Sequence, residues 1–244
     1  PKNPATPALV GCQSWEVQTI AYMAGVDKVD GILMDIGVSS KQLDDPERGF
    51  SYRYDVKLDM RMNTEQKISA YDVVNTYTEE QLSKIIFEYG EERHARKIAK
   101  LIVEERKSSP IEKTSDLITL IKRAYPERAL KHPAKKTFQA IRIEVNRELE
   151  VLENAISKAA ELLKVGGRLA IITFHSLEDR IVKNKFKDLA TACKCPKDIP
   201  ICVCGGVKKF EIITKKPIIP IDNELKNNNR AHSSKLRILE RILD

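Results

Sequence analysis

The sequence lacks any hydrophobic run long enough to cross a membrane. A transmembrane helix needs ~18 or more consecutive apolar residues, and no stretch of the 244 residues comes near that length. The first residues, PKNPATPALVGCQSW, also lack the basic head, apolar centre and small-residue cleavage site of a secretion signal. We therefore expect a cytoplasmic protein without a membrane partner.

Cysteine is scarce, and four of the five cysteines lie in one segment, CKCPKDIPICVC. A disulfide framework is not expected in a chain without a secretion signal. Two Cys-x-Cys pairs could present four thiolates to zinc from facing turns, but the Cys-x-x-Cys spacing of zinc knuckles is missing. The spacing favours a hairpin or loop with reduced thiols, so we assign no metal ligands. The zinc alternative stays open for Cys193, Cys195, Cys202 and Cys204.

Positive charge exceeds negative charge, with a net charge of +7 and a pI of about 9.1. Basic proteins favour polyanionic partners, because neutralised phosphates release condensed counterions. A net positive charge of this size is also found in proteins where it serves solubility alone. Charge by itself therefore favours a nucleic-acid partner only slightly.

Apolar segments that read as strands alternate with helical periodicity, which predicts an α/β fold. A helix over 15–26 precedes a strand at 30–36, and a second strand at 168–174 also follows a helix. Such alternation is typical of parallel strands joined by helices. Two further strand candidates lie at 210–214 and 234–242.

The region 68–130 has helical periodicity throughout and no convincing strand. Ser69 is an N-cap candidate, and Thr78 with Gln81 forms a capping box for a helix that ends at Gly90. The pattern predicts about four helices. We therefore predict one domain over 1–60 and 135–244, with an inserted helical subdomain over 61–134.

The chain before the second strand reads as one long, bent helix. Its apolar positions continue from Phe138 to Leu163, and Gly166 and Gly167 close it. The strand would then begin at Arg168.

Polar residues follow both principal strands, where ligands bind in open parallel sheets. The carboxylate of Asp35 could accept hydrogen bonds or balance a cationic ligand that Gln42 also reaches, or it could cap the loop behind it. His175 could exchange protons near neutral pH, or it could be a structural histidine. If a helix begins at Ser176, we expect the Ser176 hydroxyl to cap its free amides.

Several long strings closely resemble the bacterial 16S rRNA (cytosine-N4)-methyltransferases from about residue 25 to the end. They are DGILMDIGVSSKQLDDPERGFSYRYDVKLDMRMN, YGEERHARKIAKLI, HPAKKTFQAIRIEVNRELEVL, GGRLAIITFHSLEDRIVK, CKCPKDIPICVC and NNNRAHSSKLRILERI. The resemblance implies a Rossmann-like class I methyltransferase domain with an inserted all-helical subdomain. It also implies methyl transfer from S-adenosylmethionine to N4 of a decoding-centre cytosine in 16S rRNA of the small ribosomal subunit.

The resemblance also implies roles for individual residues. Asp35 and Gln42 fall on positions that bind S-adenosylmethionine, and we expect Asp35 and His175 to be the catalytic residues. The predicted RNA-binding residues lie in the recognisable strings: Arg61, Lys136 and Arg142. For stacking on the base we expect Phe50 or Tyr52, because the loop after Asp35 has no proline or aromatic residue.

The chain departs from the family pattern before Asp35. Family members carry a strand and a GGH loop for the cofactor there, and a phenylalanine near residue 13, where this chain has Cys12, Gln13, Ser14 and Trp15. We expect a chain without the first strands of the domain, which binds the cofactor poorly alone although the complete protein is active. The alternative is a non-catalytic rRNA-binding or ribosome-assembly protein. The sequence leaves open whether the protein is a homodimer.

Overall fold

A computed structural model describes residues 17–23, 25–126, 133–193, 195 and 204–244. In chain order its helices and strands are α1 (Val17–Met23), β1 (Val29–Asp35), α2 (Ser40–Asp44), α3 (Ala70–Thr76), α4 (Glu79–Gly90), α5 (Ala95–Glu105), α6 (Thr114–Ala124), α7 (Ala134–Asn146), α8 (Glu148–Leu162), β2 (Leu163–Thr173), α9 (Ser176–Ala190), β3 (Phe210–Ile212), α10 (Asp222–Asn227) and β4 (Lys235–Arg241). None of these helices is long and apolar enough to span a bilayer.

The chain divides into two compact units. The sheet unit is Pro1–Gly37 with Leu149–Asp244, and the helical unit is Val38–Glu148. The sequence placed the boundaries at 60/61 and 134/135, whereas this division groups the loop after β1 and all of α7 with the helices. The assignment of 61–134 as an inserted domain stays a prediction.

The sheet unit is built on a mixed four-stranded sheet in the order β1-β2-β4-β3. β1 and β2 are parallel, as the α/β alternation predicted, and β4 runs antiparallel to both β2 and β3. Alternate side chains of each strand point to one face, where Met34, Ile171 and Leu239 pack with Ile156 and Phe186 of the covering helices. On the opposite face of β1, Leu33 is 67% exposed. This unit confirms the predicted α/β class.

The helical unit contains the four predicted helices of the region 68–130. Ser69 caps α3, and Thr78 forms a capping box with Gln81 at the start of α4, as the sequence indicated. Each box satisfies amides that the first helical turn leaves without partners. The apolar faces of α3 to α7 enclose one core.

Gly90 has a different role from the one predicted. It is the last residue of α4, and the left-handed residue after the helix is Glu91, with a φ of 48°. A Cβ at Gly90 would lie 2.7 Å from the carbonyl oxygen of Lys136 and 3.4 Å from Cβ of Ala140. Glycine is therefore needed because α4 and α7 approach each other closely at this point.

We expect Gly90→Ala to lower the free energy of unfolding by about 1–3 kcal/mol, since the added methyl group forces the two helices apart. Urea unfolding measures the difference. Lys84→Ala, on the exposed side of the same helix, is the control and should change stability by less than about 0.5 kcal/mol. Equal effects of the two changes would contradict the packing role of Gly90.

The predicted long helix is two helices. It breaks at Arg147, whose φ of 50° ends α7 before α8 begins. The second strand starts at Leu163 and not at Arg168, so Gly166 and Gly167 lie inside β2. A Cβ at Gly167 would lie 2.9 Å from the Lys164 carbonyl oxygen, which explains the glycine without a helix end.

Candidate functional site

The carboxyl ends of β1 and β2 lie side by side in the sheet unit. Asp35 is in register with Ile172, and the amide of Ile36 donates to the Ile172 carbonyl oxygen at 3.3 Å. Beyond the strands, a Cβ at Gly37 would lie 3.8 Å from the Phe174 ring and 3.9 Å from Oε1 of Glu178. The φ of Gly37 is +99°, a conformation that favours glycine. Because β1 and β2 are parallel neighbours, their carboxyl ends meet at one edge of the sheet.

Asp35 ends β1 with its carboxylate in an accessible position. Its side chain belongs to the same face as Leu33 and not to the core face of Met34. Within the described part of the chain, no side chain or backbone amide donates to this carboxylate. Although Asp35 is among the exposed residues, partial burial of the carboxyl group raises its pKa above the ordinary value. A cationic ligand would favour the ionised form again.

His175 caps α9, which corrects the expectation that Ser176 supplies the cap. Nδ1 of His175 accepts from the amide of Glu178 at 3.4 Å, and the helix begins at Ser176. Nε2 is buried and lies 3.1 Å from Oε1 of Glu178, but it makes no well-directed hydrogen bond with a described residue. The ring is therefore held at the helix start, and a catalytic role for His175 stays a prediction.

Glu178 anchors the turn between β2 and α9. Its side chain is buried, and Oε2 accepts from the amides of Phe174 at 2.8 Å and His175 at 3.2 Å. Sequence reasoning gave Glu178 no such role. The available signal was the spacing, since an acid three residues after a cap is the pattern of a capping box.

Asp179 joins α9 to β4 through a buried ion pair. Its carboxylate accepts from Nε and Nη2 of Arg237 at 2.7 and 3.1 Å, and Nζ of Lys235 lies 3.3 Å away. Burial alone would raise the pKa of Asp179, but the hydrogen bonds and charges of Arg237 and Lys235 hold it below the ordinary value. This pair fixes the helix start beside the sheet.

Gln42 lies in the helical unit and completes a capping box at α2. Its Oε1 accepts from the amide of Ser39 at 2.9 Å, and Oγ of Ser39 accepts from the amide of Gln42 at 3.2 Å. The box explains the local position of Gln42. Its part in cofactor binding stays a prediction.

Arg61 organises the loop before α3. Its guanidinium donates to both carboxylate oxygens of Asp59 at 2.7–3.2 Å and to the carbonyl oxygens of Thr64 and Gln66 at 3.0 and 2.9 Å. The residue lines an open pocket of about 420 Å³ that Lys57 and Lys67 also line. Arg61 therefore has a structural role, and its contact with RNA stays a prediction.

The other two predicted RNA-binding residues also have partners inside the helical unit. Arg142 donates from Nε and Nη2 to Glu148 at 2.8 and 2.9 Å, and both side chains are mostly buried. Nζ of Lys136, which is exposed, donates to the carbonyl oxygen of Glu91 at 2.6 Å. Lys136 is thus the more accessible of the two cations.

The expected stacking residues pack within the helical unit. Phe50 is 7% exposed and belongs to its core, with the guanidinium of Arg48 above the ring at 5.8 Å. Tyr52 meets the ring of Phe138 edge-on, with centroids 6.0 Å apart. Both rings therefore have the packing role that loop aromatics commonly have. The expected phenylalanine position near residue 13, and Cys202, lie outside the described residues.

Comparison with known proteins places most of the chain in one group. The model of the MraW methylase family matches residues 8–242. A protein of Fusobacterium nucleatum subsp. nucleatum named "Ribosomal RNA small subunit methyltransferase H" is 96% identical over 228 residues, which are 93% of this chain and 73% of the relative. Proteins of the same name from Clostridioides difficile and Caldicellulosiruptor saccharolyticus are each 57% identical, over 221 and 218 residues, which are 89% of this chain and 71% of each relative.

Proposed function

Because the chain belongs to the MraW methylase family, we propose that it transfers a methyl group from S-adenosylmethionine to N4 of a decoding-centre cytosine in small-subunit rRNA. The observation that carries the proposal is the relative 96% identical to this chain, whose name specifies methylation of small-subunit rRNA. The choice of cytosine N4 rests on the sequence strings that include Asp35 and His175.

The residues at the end of β1 fit a cofactor of this kind. S-adenosylmethionine supplies an electrophilic methyl group on a positively charged sulfur. The Asp35 carboxylate is accessible, and no described residue donates to it, so it can accept hydrogen bonds from such a ligand and offset its charge. The position, beyond the carboxyl end of a parallel strand, is the usual place for a ligand in sheets of this class.

The amine of cytosine is a weak nucleophile, because its lone pair is delocalised into the ring. Alignment of the amine with the methyl group can supply ~7–11 kcal/mol of the barrier. In this proposal the convergence of the two strand ends at Gly37 provides that alignment. Glu178 and Asp179 keep the second strand end in place through the turn and the start of α9.

We assign proton acceptance to Asp35 in preference to His175. The amine becomes strongly acidic once it is methylated, so a carboxylate is a sufficient base. The His175 ring already accepts the amide of Glu178 through Nδ1, and its Nε2 is buried. His175 would then act as a positioning residue at the second strand end.

Mass spectrometry of small-subunit rRNA from cells with and without the gene tests the function. We expect N4-methylated cytosine to disappear from the decoding centre on deletion and to return when the gene is restored. Other modified nucleosides of the same rRNA serve as the internal control. An unchanged level of N4-methylated cytosine would overturn the proposal and favour a non-catalytic role in ribosome assembly.

A further inference from the structure

Three cysteine thiols converge between α9 and β3. The Sγ atoms of Cys193, Cys195 and Cys204 all lie within 4.8 Å of one another, and those of Cys193 and Cys204 are 3.8 Å apart. A disulfide bond measures about 2.05 Å, so the 3.8 Å separation is not a bond. The cluster lies within the sheet unit and includes no residue of the candidate active site.

The separation of the thiols suits a tetrahedral metal ion. Zinc binds thiolate sulfur at ~2.3 Å, and two ligands at the tetrahedral angle are then about 3.8 Å apart. Cys193 and Cys204 have this separation. Thiolates are soft ligands that select zinc over the hard cations magnesium and calcium. We propose that Cys193, Cys195 and Cys204 bind one zinc ion.

Gly206 makes the convergence possible. A Cβ at this position would overlap the carbonyl oxygen of Ala192 and would lie 3.3 Å from Sγ of Cys204. A residue with a side chain at position 206 would force the backbone near Ala192 or Cys204 to shift. Gly205, with a φ of 57°, turns the chain immediately after Cys204. The two glycines thus allow the chain after Cys204 to approach the chain that carries Cys193.

The ion has a structural role, because the cluster lies at the far end of the sheet from Asp35 and His175. α9 begins beside His175 and has 15 residues, so its other end is about 22 Å away. Phe210 at the start of β3 pairs with Arg241, at one end of β4. Thr173 at the end of β2 pairs with Lys235, at the other end of β4. The three thiols therefore cannot reach the reacting groups.

A metal here would tie the end of α9 to the sheet. Phe210 of β3 packs in the core of the sheet unit, but residues 204–209 before it are all exposed, so few apolar contacts hold the segment that carries Cys204. Zinc–thiolate bonds contribute folding free energy directly, which suits a segment with so little core. The described thiols supply three of the four ligands that a tetrahedral zinc ion takes.

Metal analysis of the purified protein tests this proposal independently of methyl transfer. Untagged protein, prepared under reducing conditions with zinc and then freed of excess metal, should retain about one zinc per chain. After cobalt replacement, an intense thiolate-to-cobalt charge-transfer band should appear. Less than about one zinc per ten chains, or cobalt without that band, would overturn the proposal. Both measurements use the unaltered protein, so they do not depend on a variant that folds.

Serine variants then identify the ligands. Cys193→Ser and Cys204→Ser should each lower zinc retention at least about tenfold in the presence of a competing chelator. Cys12→Ser is the matched control, because it removes the one cysteine outside the segment, and it should retain zinc as the unaltered protein does. Equal retention in all three variants would contradict the assignment of these thiols.

Discussion

Asp35→Asn is expected to lower the methyl-transfer rate at least about 100-fold, the loss that follows removal of one group aimed at charge in a transition state. Asparagine keeps the size of the side chain but removes the negative charge. We assign that charge to offsetting the charge of the cofactor and to accepting the departing proton. The rate is measured with saturating S-adenosylmethionine and small ribosomal subunits. The dissociation constant of the cofactor, measured separately, should rise.

The same change should leave the fold intact. The pKa of Asp35 is raised in the folded protein, so its contribution to stability is present at acid pH and is lost as the pH rises through that pKa. At neutral pH the asparagine variant should therefore be no less stable than the unaltered protein. Urea unfolding at pH 7 measures this directly.

Asp30→Asn is the matched control for Asp35→Asn. Asp30 lies on the same strand, and among the described residues its exposed carboxylate pairs only with Nζ of Lys164, at 3.0 Å. Loss of such a surface pair costs about 0–1 kcal/mol. If Asp30→Asn slows methyl transfer as strongly as Asp35→Asn, the effect does not arise from a specific role of Asp35.

Asp179→Asn is expected to lower the free energy of unfolding by about 3–5 kcal/mol at neutral pH, the cost of leaving one charge of a buried pair unpaired. The Asp179 and Arg237 side chains are only 13% and 8% exposed, so water cannot replace the lost carboxylate. Urea unfolding gives the difference, and circular dichroism checks that the variant folds.

The difference in unfolding free energy between the unaltered protein and Asp179→Asn should depend on pH, which gives a second test of the ion pair. The pKa of Asp179 is lowered in the folded protein, so its stabilisation is present above the ordinary pKa of about 3.9 and is lost as the pH falls through the lower folded value. The gap between the unaltered protein and Asp179→Asn should therefore narrow as the pH falls below about 4. A gap that stays constant would contradict the ion-pair account.

Glu240→Gln is the control for the buried pair. Glu240 accepts from Nε of Arg168 at 2.7 Å, but the Arg168 side chain is 61% exposed. We expect a loss of about 1 kcal/mol or less from this change. A loss as large as that of Asp179→Asn would show that burial does not distinguish the two pairs.

Local sequence signals predicted the structure well where partners are close in the chain. The caps at Ser69 and Thr78 were found because the residues that complete them lie three positions away. The two parallel strands were found because each is an apolar run that ends at a charged loop. These features need only the neighbouring sequence, because the hydrogen bonds involved are local.

Features that depend on distant partners could not be predicted in the same way. Gly90 is explained by the backbone of Lys136, and Asp179 by Arg237, 58 residues away. The N-cap of α9 was predicted one residue too late, at Ser176, because serine has a stronger capping preference than histidine. In the structure His175 makes the capping hydrogen bond. The sequence left a zinc site at the cysteine segment open and assigned no ligands, because the spacing differs from that of zinc knuckles and the convergence of the thiols depends on Gly206.

The most direct measurement is the transfer of a labelled methyl group from S-adenosylmethionine to small ribosomal subunits by the purified protein, followed by nucleoside identification. We expect the label on N4 of one decoding-centre cytosine, and we expect Asp35→Asn to remove it while Asp30→Asn does not. Label on another base or another atom would contradict the proposed function, and equal labelling by the Asp35 variant would contradict the role of Asp35.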